Sequence, residues 1–159
     1  MTNYKPNIAI VYASATGHTE NLACMIEDAF MRQGVHPAVF RAKEFDPAEL
    51  CRYDIVLVGT YTWMNGDIPK QLHGLFEVME QQEKNIITGV FGTGDRCFAA
   101  YCGAVDLFRD MLHAKTSLAA TLKVEQMPSA DDSMRCSAFA QSVLMKYSHH
   151  KGRLSAANS

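Results

Sequence analysis

The sequence lacks several features, and each absence excludes a class of protein. No window of its 159 residues approaches the roughly 18 consecutive apolar residues that a membrane-spanning helix needs. The first residues do not form the charged, apolar and small-residue sections of a secretory signal. The five cysteines are scattered, and none stands in a CxxC pair or at zinc-ligand spacing with histidines. We therefore expect a cytoplasmic protein with reduced thiols, without a membrane anchor or a bound metal.

Acidic residues are missing from the end of the chain. Through Ser133 the sequence has 11 Lys and Arg against 17 Asp and Glu, a balance of −6, whereas the remainder has four cations and no acid. An acidic body argues against nucleic acid as a partner and suits docking on basic protein surfaces. The segment after Tyr147 is polar and rich in small residues. We therefore expect residues 1–147 to form one domain and residues 148–159 to form a flexible tail.

Short apolar runs alternate with longer amphipathic ones along the chain. The pattern predicts strands at 8–13, 38–41, 54–59, 86–91 and 118–124, helices at 17–33, 69–82, 100–113 and 131–147, and a weak helix or turn at 47–50. Gly34 is a signal for the end of the first helix, and Pro69 for the start of the second. The strongest strands are apolar on both faces, which is typical of a parallel sheet covered on two sides. The pattern therefore predicts an α/β doubly wound sandwich, which binds ligands beyond the carboxyl ends of its strands.

The loop after the first predicted strand is rich in hydroxyl groups and has no basic residue. It reads SATGHT at positions 14–19, and no Lys or Arg occurs between Lys5 and Arg32. The N–H groups of a helix N-terminus, together with neutral hydroxyls, can hold an anion without a cation. The GxxxxGK[ST] pattern of a phosphate-transferring loop is absent. The loop therefore either binds a phosphate without transferring it, or is an ordinary helix start capped by Ser14 or Thr16.

Two further loops are predicted, after the third and fourth strands, and the three together resemble the flavin-binding loops of flavodoxins. They read SATGHT at 14–19, TYTWMNGDIP at 60–69 and GTGDRCFAAYCG at 92–103, and the resemblance extends along nearly the whole chain. The first fits the family pattern T/S-x-T-G-x-T. The resemblance implies a five-stranded parallel sheet of order 2-1-3-4-5 and non-covalently bound FMN. The cofactor-binding residues that it implies are Ser14, Ala15, Thr16, Gly17, His18, Thr19, Thr60, Tyr61, Thr62, Trp63, Met64, Asn65, Gly66, Gly92, Thr93, Gly94, Asp95, Phe98, Tyr101 and Cys102.

Two aromatic residues are the implied walls of the flavin site. Trp63, by itself an ordinary surface or packing residue, would face Phe98, which stands where most flavodoxins have tyrosine. Aromatic faces and the nearby carboxylates of Asp67 and Asp95 disfavour a negatively charged, fully reduced flavin, so a low reduction potential is expected. Met64 stands where many flavodoxins have a glycine whose peptide can flip. We expect Met64→Gly to raise the first reduction potential, and an unchanged potential would contradict this expectation.

The resemblance implies a short-chain flavodoxin, because the fifth predicted strand lacks the insertion of the long-chain branch. Such a protein is a monomeric, low-potential one-electron carrier and not an enzyme. It would receive electrons transiently from a ferredoxin/flavodoxin-NADP reductase and pass them to acceptor redox enzymes. Two alternatives stay open: a small FMN-dependent NAD(P)H or quinone oxidoreductase, and a dedicated activator of a metal or radical enzyme. A phospho-acceptor receiver domain is disfavoured because it needs acidic residues where this sequence has Ser14 and Thr60.

Overall fold

Five parallel strands form one sheet in the order β2-β1-β3-β4-β5, which confirms the predicted fold. The computed structural model of the protein describes residues 5–62, 66–82, 86–95 and 102–157. The strands are β1 (Ile8–Tyr12), β2 (Ala38–Arg41), β3 (Ile55–Tyr61), β4 (Ile87–Gly94) and β5 (Ser117–Glu125). The helices are α1 (His18–Met31), α2 (His73–Glu80), α3 (Gly103–Lys115) and α4 (Ser133–Ala157).

The sheet has a hydrophobic core on each face. Alternate residues of β1 and β3 face opposite sides, so Ile10 and Leu57 pack with α1 and α4 while Val11 and Val58 pack with α2 and α3. All four of these side chains are buried. Each face of the sheet is thus covered by a pair of helices, as the apolar residues on both faces of these strands predict. Among the described residues, no helix is long and apolar enough to cross a bilayer.

The first helix ends as its sequence predicts. Gly34 has φ +79°, and its N–H donates to the carbonyl of Met31 at 3.0 Å. The next N–H, that of Val35, donates to the carbonyl of Phe30 at 3.1 Å, and both of these side chains are buried. This pair of bonds with a hydrophobic contact is the Schellman motif, in which glycine takes the left-handed position at no steric cost.

Several predicted boundaries were wrong. Pro69 precedes the helical residues as the N-cap of a short 3₁₀ turn, Lys70–Leu72, instead of standing at the first helical position. The fourth strand continues to Gly94, because residues 92–94 pair with both β3 and β5. Similarly, Thr60 and Tyr61 end β3 and do not begin a loop.

The last helix differs most from its prediction. It was expected to span 131–147, but α4 continues to Ala157. No proline interrupts residues 148–157, and most of them are good or neutral helix formers, so no residue there stops the helix after the buried Tyr147. The flexibility expected of residues 148–159 stays a prediction, as does the division of the chain at Tyr147.

Candidate functional site

The first loop connects β1 to α1 and is held by one serine. Ser14 Oγ accepts hydrogen bonds from the N–H groups of Gly17 at 3.1 Å and of Glu20 at 3.3 Å. Gly17 has φ +89° and would meet nothing within 4 Å if it carried a Cβ, so its conformation and not a lack of space favours glycine. The N-cap residue of α1 is Gly17, so the interpretation of Ser14 or Thr16 as the N-cap was wrong, although Ser14 caps the N–H of Glu20 from the preceding loop.

This capping leaves donors for a second acceptor. Within the part of the chain that the structure describes, the N–H groups of Thr16, His18 and Thr19 donate to no protein acceptor. Ala15 and Thr16 are exposed, and His18 is half-buried. The positive end of the α1 dipole lies at the same place. Thr19 is buried, so the free N–H groups of Thr16 and His18 are the ones whose residues solvent reaches; donors at a helix start fit the phosphate of FMN, and capping and phosphate binding are therefore compatible functions of this loop.

A buried hydroxyl pair joins the first loop to the end of β4. Thr19 Oγ1 and Thr93 Oγ1 are 2.9 Å apart, and both residues are buried. The predicted contact of the Thr19 hydroxyl with the cofactor stays a prediction, but in this structure that hydroxyl is already hydrogen-bonded. The pair fixes the first and third loops relative to one another, because a buried hydroxyl that lost its partner would destabilise the fold.

The second loop packs against the start of α3 with almost no space between the two backbones. A Cβ on Gly103 would lie 2.9 Å from Cα of Gly66, which is itself buried with φ +88°. Thr62 Oγ1 accepts a hydrogen bond from the N–H of Ala104 at 3.4 Å. Glycines at 66 and 103 thus bring the second and third loops together.

Cys102 begins α3 in a strained conformation. Its φ of 50° and ψ of 34° are left-handed, which is uncommon for a residue with a side chain. The residue is fully buried, so its thiol packs and is closed to solvent. Strain of this kind often marks a functional turn. The implied role of Cys102 in cofactor binding stays a prediction.

The structure leaves part of the implied site undescribed. Both aromatic walls and the residue of the proposed peptide flip lie outside the described residues, as do two other members of the site: these five are Trp63, Met64, Asn65, Phe98 and Tyr101. Their roles stay predictions. The other implied residues lie at the carboxyl ends of β1, β3 and β4 or at the starts of α1 and α3, which are neighbours in the sheet. These residues therefore lie where a doubly wound sheet is expected to bind a ligand, at the carboxyl ends of its strands.

Four residues beside the first loop are not indicated by any pattern in the sequence. Tyr12, Glu20, Arg41 and Lys43 line a cleft of about 220 Å³ together with residues of the first loop. Arg41 ends β2 and is the register partner of Tyr12, so the sheet brings a cation next to a loop that has none. The implied strand order, in which β2 neighbours β1, was the one signal that could have indicated this.

A larger cleft adjoins the second loop. It has a volume of about 830 Å³ and is lined by Tyr61, Asp67, Ile68, Pro69, Lys70, Gln71, His73, Phe76, Glu77, Glu80 and Leu107. Leu107 is 47% exposed and provides an apolar patch, while three carboxylates and one lysine lie around it. An apolar floor with a mainly acidic rim is suited to a transient contact with a basic protein surface.

Comparisons with known proteins agree on one family. A family model described as "Flavodoxin" matches residues 10–139. A Bacillus subtilis (strain 168) protein named "Probable flavodoxin 1" is 37% identical over 139 residues, which are 85% of this chain and 88% of that protein. Among solved structures, oxidised Flavodoxin 2 of Bacillus cereus has a TM-score of 0.81 at 30% identity, with 88% of this chain and 99% of that chain covered. Oxidised Flavodoxin 1 of the same species has a TM-score of 0.80 at 25% identity, over 87% and 97% of the two chains.

Proposed function

The chain belongs to the flavodoxin family, and from that premise we propose that it carries single electrons from an NADP-linked flavoprotein reductase to acceptor redox enzymes. Members of this family bind FMN and transfer electrons without being enzymes, and the resemblance to the short-chain branch is confirmed. The finer statements, namely the reductase, the NADP-linked supply of electrons and the low potential, are proposals.

The first loop is the observation that carries the proposal. Bound FMN supplies the centre that accepts and releases electrons. The N–H groups of Thr16, His18 and Thr19 would hold its phosphate with hydroxyl groups nearby, and no basic side chain occurs within the loop itself. Such a cradle retains the cofactor through many electron transfers, since no residue in it is placed to transfer the phosphate.

Partner recognition would use the cleft beside the second loop, which is next to the implied flavin site. Glu77 and Glu80 are exposed on α2, and Asp67 is exposed at the start of the cleft. Carboxylates around an apolar patch attract a basic surface from a distance and allow rapid release, as a transient electron-transfer complex requires. We further propose that the protein acts as a monomer in the cytoplasm, where its cysteine thiols would stay reduced.

Stepwise anaerobic reduction of the FMN-loaded protein tests the carrier function. We expect two separable one-electron steps in the visible absorption spectrum, and no reduction by NADPH unless a reductase is added. Rapid reduction by NADPH alone would contradict the proposal and support an oxidoreductase instead. A protein that takes up no FMN would contradict the proposed site.

Charge variants test the proposed docking surface. The double variant Glu77→Gln/Glu80→Gln is expected to lower the rate of reduction by the reductase about threefold at low salt, and the difference should vanish as salt screens the charges. Glu27→Gln/Asp28→Asn on α1 is the matched control, because it also removes two carboxylates, from a helix that packs on the opposite face of the sheet. Equal effects of the two variants would show that net charge, and not this cleft, sets the rate.

A further inference from the structure

We propose that Arg41 is a positioning residue for the phosphate of FMN, which it favours by neutralising the carboxylate of Glu20 in the first turn of α1. The inference rests on the proposed phosphate site of the first loop. It assigns a function to a basic residue that lies 22 positions after the end of that loop in the sequence.

Glu20 poses an electrostatic problem for a phosphate site. It is the third residue of α1 and the acidic residue of its first turn. Its own N–H donates to Ser14 Oγ at 3.3 Å, and it lines the same cleft as Ser14, Ala15 and Gly17. A carboxylate there interacts well with the helix dipole but repels a dianionic phosphate at the same helix start. Phosphate binding is therefore favoured if the charge of Glu20 is offset.

The structure offsets this charge with two donors on one carboxylate oxygen. The Tyr12 hydroxyl donates to Glu20 Oε1 at 2.8 Å, and Arg41 Nη2 donates to the same oxygen at 3.4 Å. Burial, and then the hydrogen bond to Glu20, raises the pKa of the Tyr12 hydroxyl, which therefore remains a donor at neutral pH. Tyr12 and Arg41 come from neighbouring strands in register, so the rigid sheet fixes both donors.

Arg41 lies close enough to the first loop for its charge to affect phosphate affinity. Arg41 lines the same cleft as three residues of the first loop, and Lys43, which follows β2, lines it too. With Arg41 present, the Glu20–Arg41 pair has no net charge; without Arg41, one negative charge remains at the helix start. Arg41 and Glu20 are 55% and 44% exposed, so solvent weakens the interaction and the expected effect is a few-fold change in affinity.

The test compares FMN with riboflavin, which has the same ring system but no phosphate. We expect Arg41→Gln to weaken FMN binding about threefold at low salt and to leave riboflavin binding unchanged, with the loss disappearing at about 0.5 M salt. Arg41→Lys should retain most of the FMN affinity, since it keeps the charge. Flavin fluorescence titration measures both dissociation constants, and thermal unfolding of each variant checks its stability.

Glu20 variants distinguish charge compensation from simple bracing of the loop. Glu20→Gln is expected to strengthen FMN binding about threefold, and the double variant Glu20→Gln/Arg41→Gln should return close to the wild-type affinity. Bracing predicts instead that both single variants weaken binding. Arg52→Gln is the matched control, because Arg52 forms an exposed ion pair with Glu49 just before β3, at the opposite end of the sheet.

Three results would overturn the inference. Equal losses for FMN and riboflavin in Arg41→Gln would assign Arg41 a structural role, and no loss for either would assign it none. Weaker FMN binding in Glu20→Gln would show that the carboxylate helps the site. A wild-type protein that binds neither flavin would overturn the proposed function itself, and is thereby distinguished from the failure of this inference alone.

Discussion

At the scale of single residues, Gly92 has no room for a side chain. A Cβ there would lie 2.3 Å from Val105 Cγ2 and 2.4 Å from the carbonyl oxygen of Thr60. The valine could rotate away, but Thr60 is held by its pairing with Gly92 across β3 and β4. We expect Gly92→Ala to lower the free energy of unfolding by about 2 kcal/mol, because strand and helix must move apart.

Urea denaturation measures this loss, and Gly74→Ala is its control. Gly74 lies in α2, and a Cβ there would meet nothing within 4 Å, so alanine should raise the free energy of unfolding by about 0.5 kcal/mol through helix propensity. Because Thr60 and Gly92 both belong to the implied FMN site, Gly92→Ala should also weaken FMN binding. An unchanged stability in Gly92→Ala would mean that the close backbone approach is not needed.

The cysteines should differ widely in their reactivity, since the thiolate is the reactive form. Burial raises the pKa of the Cys136 thiol to about 11, and burial followed by nearby Glu27 raises that of Cys24. Cys51 is exposed, whereas Cys102 is fully buried. Among the four cysteines that the structure describes, we expect iodoacetamide at pH 8 to modify Cys51 first, Cys24 more slowly, and the two buried thiols only after unfolding. Peptide mass spectrometry over time measures the order, and early labelling of Cys136 would contradict it.

At the scale of elements, a capping box formed by Ser129 and Asp132 starts the 3₁₀ turn Ala130–Asp132, which leads directly into the long helix α4. The N–H of Ser129 donates to Asp132 Oδ2 at 2.8 Å, and Arg135 donates to Oδ1 at 3.1 Å. The bond from Ser129 is the main cause that holds the pKa of Asp132 below its usual value. A carboxyl with a lowered pKa in the folded state stabilises the fold above its unfolded pKa, and this contribution is lost as the pH falls through the folded value.

Asp132→Asn should therefore have a pH-dependent effect. At pH 7 we expect it to lower the free energy of unfolding by about 1 kcal/mol, and below about pH 4 the difference from wild type should shrink as the native carboxyl takes up a proton. Asp131→Asn is the control, because Asp131 is exposed in the same turn. A difference that stayed constant between pH 7 and pH 3 would show that the charge of Asp132 does not stabilise the helix start.

Elements with a strong apolar period could be predicted from the sequence, whereas those set by pairing could not. The strand β2 lies at 38–41 as predicted, and α1 ends at the Gly34 signal. By contrast, residues 92–94 are glycines and a threonine, which resemble a loop, and they are strand only because β3 and β5 pair with them. The end of α4 was missed because no local residue stops it.

The candidate site likewise has one part that the sequence predicts and another part that only the folded sheet brings together. Its first loop could be predicted because hydroxyls, a glycine and a helix start are consecutive in sequence. The Arg41–Glu20 contact at 3.4 Å depends on the register of β1 with β2, and nothing near Arg41 in the sequence indicates it. The Thr19–Thr93 pair joins residues 74 positions apart and likewise needs the folded sheet.

At the scale of the whole molecule, charge is unevenly distributed, and α4 is responsible. Its residues include four cations and no acid, while the rest of the chain is acidic. Tyr147, His150 and Lys151 line a cleft with Asp54, Ile86 and Ile87, which lie at the amino ends of β3 and β4. The end of α4 is therefore at the opposite end of the sheet from the three implied flavin loops, and it should influence partners through charge alone.

Removal of residues 148–159 should change the interaction with charged partners and leave FMN binding unchanged. The truncation deletes Lys151 and Arg153 and changes the net charge from −2 to −4. Tyr147 is buried whereas none of residues 148–152 is, and the Lys151 ammonium lies 5.7 Å from the Tyr147 ring, so we expect the melting temperature to fall by only a few degrees. FMN affinity should not change, and reduction by a basic reductase at low salt should become faster because the protein is more acidic.

The full-length variant Lys151→Gln/Arg153→Gln is the matched control for this truncation. It makes the same charge change while it keeps the helix, so stopped-flow rates of the two proteins should rise together and converge with the wild type as salt increases. If only the truncated protein were faster, the helix would obstruct docking by its bulk. If both were slower, the basic end of α4 would itself attract a partner, and the acidic cleft beside the second loop would not be the main docking surface.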